Sequence, residues 1–151
     1  KHFPKATLDI YYGWNVKESE YMDKIIDNLL ILSAQGVREH GLVGHKELAQ
    51  AYAKASFWTY PCTKDETFCI SALKAQGSGA IPVIINRSAL NETVKYGYKC
   101  KTTDDYIPAL IKAMEEADKI TLEERKKMKP FILDEYTWEK IADKWIAAFN
   151  Q

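Results

Sequence analysis

Apolar and polar residues change along the chain in short blocks, and each block carries either a strand-like or a helix-like pattern. Leu8-Asp9-Ile10-Tyr11-Tyr12, rich in strand formers and bounded by Pro4 and Gly13, predicts a strand of about five residues. Asn15 with Glu18 three residues on is a capping-box pattern. Tyr21, Met22, Ile25, Ile26, Leu29, Leu30 and Leu32 then recur at helical spacing until Gly36 supplies a stop. The unit repeats: Val37 to Glu39 predicts a strand, and a helix from about His45 carries Leu48, Ala51, Tyr52 and Ala55 on one face. A third strand runs from Phe57 to Tyr60, and past a polar loop a helix is expected from about Thr67 to Ser78. Pro82-Val83-Ile84-Ile85 is a β-rich apolar run of the kind buried on both faces. Such regular alternation predicts an α/β fold with a parallel sheet. The final third reads as helical. Ile107, Leu110, Ile111 and Met114 mark one helix, Thr121 with Glu124 caps a second, and Trp138, Ile141, Ala142, Trp145 and Phe149 stripe a third. These helices are expected to pack over the sheet, the aromatic stripe supplying core contacts rather than a platform for bases.

Composition narrows the classes. A chain of 151 residues, 46% hydrophobic and 28% charged, suits one domain with a real core and excludes disorder, collagen and coiled coil. Lys+Arg 21 against Asp+Glu 21 leaves a formal net charge of zero, so no global field draws nucleic acid. The basic run Arg125-Lys126-Lys127 with Lys129 reads as a solvated helix face. Cys62, Cys69 and Cys100 are odd in number and form no CxxC pair, which argues against a disulfide scaffold and a thiolate zinc site. A reducing cytosol is the simplest setting. The longest nearly apolar stretch, Ile25 to Leu32, is broken by Asp27 and Asn28 and falls short of the roughly 20 residues a span needs. The chain opens on Lys1 without a signal-like region, so it is expected to be a segment of something longer.

In open α/β sheets ligands bind beyond the carboxyl ends of the strands, which directs attention to the loops there. Pro61-Cys62-Thr63-Lys64-Asp65-Glu66-Thr67-Phe68 is the richest. One reading has the helix N-terminus hold a phosphate while a carboxylate accepts from ligand hydroxyls. The other has Asp65 and Glu66 simply cap the helix and favour its dipole. His40-Gly41 and Gly44-His45 offer close backbone approach and imidazole donors, with His45 expected as a helix cap and no third metal ligand evident. Cys69 lacks a neighbouring His in sequence and reads as a structural thiol. Asp104-Asp105 after Thr102-Thr103 reads as a helix cap.

The order of these segments resembles the C-terminal half of a GT-B fold glycosyltransferase of the large retaining family 4. Gly41-Leu42-Val43-Gly44-His45-Lys46-Glu47-Leu48 is similar to that family's strand, glycine turn and helix start. Tyr52-Ala53-Lys54-Ala55 through Tyr60-Pro61 resembles its helix and the strand ending in Pro-Ser, with Cys62 in place of Ser. Asp65-Glu66-Thr67-Phe68, Ala75, Gly79 and Pro82-Val83-Ile84 resemble the family signature, in which a glutamate is followed by seven residues and a second glutamate. Asn91-Glu92-Thr93-Val94 with Gly97 fits its next loop, and Thr137-Trp138-Glu139-Lys140-Ile141-Ala142 its closing helix.

The resemblance implies a Rossmann-like sheet with helices on both faces and no cofactor or metal beyond a nucleotide diphosphate sugar as substrate. The chain also has no Asp-x-Asp. Glu66 matches the glutamate that faces the donor sugar, and the N–H groups of Thr67, Phe68 and Cys69 would meet the diphosphate. Gly41, Val43 and Gly44 belong to the implied donor contacts. Lys74 stands where the second glutamate is expected and cannot accept the ribose hydroxyls. The family's first strand, central in its sheet, has no counterpart here, so the chain is expected to be part of a longer protein or to borrow a strand. An acceptor domain preceding it would hold an unknown glycan, lipid or small-molecule acceptor, and this segment alone is expected to be inactive. A cytoplasmic enzyme is implied, peripheral to a membrane if the acceptor is a lipid. The rival expectation is a non-catalytic binding or assembly module that kept the fold; a GT-B sugar-nucleotide epimerase is a third.

Overall fold

The computed structural model describes residues 3–12 and 20–150, the side chains of 20–23, 26, 120–122 and 124 excepted. The expected capping pair Asn15 and Glu18 lies outside the described residues. The fold is α/β, with parallel sheets, alternating strand-helix units and helices at the C-terminal end. Two compact units divide it, Lys1–Leu48 and Ala49–Gln151.

In the first unit, β1 (Leu8–Ile10) pairs in parallel with β2 (Val37–Glu39), Leu8 opposite Val37 and Ile10 opposite Glu39. Helix α1 (Glu20–Ser33) connects them and ends as the sequence indicates, with Gly36 at φ +89 behind it. Helix α2 (His45–Lys54), which runs across the boundary into the second unit, begins after Gly44, whose N–H donates to Glu47 Oε2 at 3.2 Å. The cap is therefore this Gly44–Glu47 pair and not His45, a carboxylate three residues on reaching back to a backbone donor that imidazole does not reach.

The second unit holds a three-stranded parallel sheet in the order β3 (Phe57–Tyr60), β4 (Ile81–Ile85), β5 (Tyr98–Cys100). Every residue of β4 is buried, as its apolar run predicts. Side chains alternate across a strand, so β4 feeds two cores. Val83 and Ile85 pack with Cys100, Tyr106 and Ala113, the last two from α5 (Tyr106–Glu115). Ile84 packs on the other face with Ala72 of α3 (Ile70–Gly77), with Leu90 of α4 (Leu90–Thr93), and with Val94. Helices thus cover both faces of this sheet. Each of the buried β4 aliphatics Ile81, Val83, Ile84 and Ile85 contributes on the order of 1.5–3 kcal/mol of burial. Gln76, fully buried, staples the second face: its amide donates to Ala72 O and Thr93 O (3.1 and 2.7 Å) and accepts from Lys95 N–H (3.4 Å).

Several expectations change. The single turn α4 is helical where the resemblance implies a loop, and β5 is a strand at residues without a strand pattern, three residues long with no readable period. Its position depends on Gly97 (φ +96), which passes so close to Pro82 that a Cβ there would overlap the Pro82 carbonyl oxygen. Helix α6 (Ala117–Glu135) starts four residues before Thr121, because Ala117-Asp118-Lys119-Ile120 contains nothing that breaks a helix, and Glu116 both ends α5 and precedes α6. Helix α7 (Trp138–Phe149) is capped by Thr137, whose hydroxyl accepts from Lys140 N–H at 3.4 Å. Its aromatic stripe is not core: Trp138 is 84% exposed, Trp145 65% and Phe149 82%. Amphipathic spacing shows that a face is apolar without showing what covers it. Among the described residues no helix is long and apolar enough to cross a membrane.

Candidate functional site

Parallel pairing of β3, β4 and β5 brings their carboxyl ends to one edge, so the loops 61–69, 86–89 and 101–105 meet there. The first two are tied together by backbone and side chain. Glu66 C=O accepts from Ala89 N–H at 3.2 Å. Asp65 Oδ1 accepts from Arg87 Nε and from Ser88 Oγ, both at 2.6 Å, with Ser88 held at φ +48. The Arg87 guanidinium, then the Ser88 hydroxyl, hold the Asp65 carboxyl below its ordinary range. Asp65 is therefore a latch between loops and not a helix cap.

Glu66 is half-buried behind this latch. Tyr60, the last residue of β3, donates its phenol hydrogen to Glu66 Oε1. Burial and the carboxylate together push the Tyr60 phenol far above its ordinary range, so it remains a donor throughout the neutral region. The ring is braced by stacking on Trp58 at 4.9 Å between centroids. One carboxylate oxygen is thus fixed by the sheet, and no hydrogen bond to Oε2 is present among the described residues. This Tyr60–Glu66 pair is absent from the sequence reading; the only available signal was a tyrosine at the carboxyl end of a strand six residues before a glutamate.

The helix behind Glu66 starts later than expected. Cys69 adopts a left-handed conformation, φ 60 and ψ 70, which breaks the backbone before the first turn, so α3 begins at Ile70 and not at Thr67. Thr67 and Phe68 lie in the preceding loop, and Phe68 packs edge-on against Tyr136 at 6.1 Å. Of the first-turn amides, Ala72 N–H goes to Cys69 C=O at 3.0 Å. Burial pushes the Cys69 thiol up; the Ala72 and Ser71 amides pull against this and the Glu66 carboxylate adds to it. The thiol is therefore protonated at neutral pH, in keeping with a structural role. Lys74 is exposed on α3 and makes no side-chain hydrogen bond or ion pair among the described residues.

In the first unit, Gly41 (φ +63) follows β2, its carbonyl accepting from Tyr12 N–H at 3.1 Å; Val43 is half-buried and Gly44 caps α2. His40 Nε2 lies 2.8 Å from Asp9 Oδ1 and its ring stacks on Tyr11 at 4.4 Å. Sequence spacing gave no hint of that contact, which spans 31 positions. Asp105 directly precedes α5, but its carboxylate makes no capping hydrogen bond to the helix because it accepts from the Thr102 hydroxyl at 2.6 Å; the Asp105 N–H donates to Thr102 Oγ1 at 3.3 Å. The three cysteines are free. Chemically, the edge offers a positioned carboxylate with one open oxygen among the described residues, a helix that begins after Cys69 in the same loop, and cationic groups on the neighbouring loops. Neither a family model nor a curated protein sequence matches this chain.

Proposed function

We propose that the chain is the nucleotide-sugar-binding half of a retaining glycosyltransferase, resembling family 4. One observation carries the reading: Glu66 is held by Tyr60 at the carboxyl edge of a parallel sheet, in the loop that leads into helix α3. Its open Oε2 would accept from donor-sugar hydroxyls, while the diphosphate would lie against the amides of Cys69 and the first turn of α3, close to where Thr67, Phe68 and Cys69 were expected to supply them. Negative charge growing on the leaving diphosphate would be stabilised by preorganised amides, an effect of about 3–4 kcal/mol for a key donor. The acceptor, a glycan, lipid or small molecule, would be held by a further domain.

Lys74, exposed where a second glutamate would take the ribose, favours a second reading: a non-catalytic module that retains the fold. Calorimetric titration of the chain with uridine, guanosine and adenosine diphosphate sugars separates them. The donor-site reading expects saturable binding that weakens in Glu66→Gln and strengthens in Lys74→Glu. Absence of binding to every donor, in protein that remains folded, supports the module.

A further inference from the structure

A cleft of about 360 Å³ opens at the carboxyl ends of β4 and β5, within the second unit and apart from Glu66. Its floor is the buried Ile85; its walls are Thr63, Asn86, Arg87, Lys101, Thr102 and Thr103. No carboxylate and no aromatic ring lines it. The nearby acids each pair with a wall residue and face its outer side, Asp65 with Arg87 and also Ser88, Asp105 with Thr102. Lys101 makes no hydrogen bond or ion pair among the described residues, so its charge is uncompensated. Arg87 turns Nε and one terminal nitrogen to Asp65, which fixes its guanidinium beside the cleft and leaves the other terminal nitrogen without a bond.

Asn86 adds an independent sign. Asn91 Nδ2 donates to Ser88 C=O at 3.0 Å, which forces its Oδ1 toward Asn86 Nδ2 at 2.6 Å. The Asn86 amide therefore cannot flip, and its Oδ1, covered from solvent, is left without a partner beside the cleft. Native interiors rarely leave such an acceptor unmet unless something else binds beside it.

We propose that this cleft binds a small anion that also carries hydroxyls, of the sugar-phosphate or sugar-acid class. Lys101 and Arg87 take the charged group, while Thr63 and Thr103 take the hydroxyls. The proposal does not depend on the donor-site reading, since it uses neither Glu66 nor the first turn of α3. Amide NMR of the ¹⁵N-labelled chain tests it, with glucose 6-phosphate, glucuronate, glucose and inorganic phosphate as probes. Either anionic sugar should give saturable shifts at Thr63, Asn86, Arg87 and residues 101–103. Lys101→Gln should weaken binding about tenfold or more, the scale of one charge-assisted hydrogen bond, while Lys112→Gln on exposed α5 leaves it unchanged. Equal weakening in both variants, inorganic phosphate binding as tightly as glucose 6-phosphate, neutral glucose binding as tightly as either anionic sugar, or no saturable shift with any probe overturns it.

Discussion

Replacing Gly97 by alanine should be among the most damaging single-methyl additions to this protein, and the structure supplies its own control. Gly97 (φ +96) and Gly79 (φ +88) share nearly the same left-handed backbone, but their surroundings differ. A Cβ at Gly79 meets nothing within 4 Å. At Gly97 it would overlap the Pro82 carbonyl oxygen and lie 3.0 and 3.1 Å from Pro82 Cδ and N. Those are atoms of β4, buried throughout and paired on both sides, so they cannot move aside cheaply. The backbone conformation costs an L residue about 1–2 kcal/mol at either site. Overpacking adds about 1–3 kcal/mol at Gly97 alone, for a total of about 2–5 kcal/mol. With a urea m value of about 2 kcal/mol/M, the unfolding midpoint should fall by about 1–2.5 M in Gly97→Ala and by about 0.5–1 M in Gly79→Ala. Equal midpoints in the two variants would refute the argument that β5 is positioned by close approach to Pro82.

Three further outcomes follow from the described contacts. Gln76→Leu keeps the volume but strands the buried Thr93 carbonyl, and should cost about 2–3 kcal/mol in urea unfolding; a loss below about 0.5 kcal/mol would contradict the staple. Arg87→Ala should raise the Asp65 pKa toward the ordinary value of about 3.9, read by carboxyl ¹³C NMR; an unmoved titration would break the latch. Because the folded Asp65 pKa is depressed, its contribution to stability is present above the unfolded value and is lost as pH falls through the folded one. Tyr106 has the opposite sense: burial pushes its phenol up to about 12, so the unfolded chain ionises first and stability falls as pH rises from about 10. Tyr106→Phe should therefore lose less of its urea midpoint between pH 9 and 11 than the unsubstituted protein, and an equal loss would contradict the assignment.

The parts of the fold that were legible are those set by local periodicity. The apolar run at β4, the glycine behind α1 and the helical spacing of α2 and α7 each state their own secondary structure. What could not be read are partners distant in sequence. Asp65 looked like a helix cap because its neighbours fit one; its actual partners, Arg87 and Ser88, come from the next loop. The left-handed turn at Cys69, a non-glycine residue, carries no composition signal, so α3 was placed three residues early. The stripe of α7 announced an apolar face correctly, yet burial depends on what lies against that face. Glu66 was identified by resemblance, whereas the feature that fixes it, the Tyr60 phenol, emerged only from the strand geometry.

The central claim is that the edge around Glu66 holds a nucleotide diphosphate sugar, and mapping backbone amide shifts during titration with such sugars tests it most directly. The account predicts saturable perturbations at Glu66, Cys69, Ile70 and Ser71 with at least one donor, weakened in Tyr60→Phe because the carboxylate loses its anchor. Shifts confined to other surfaces, or binding that is indifferent to Tyr60→Phe and Glu66→Gln alike, would contradict it.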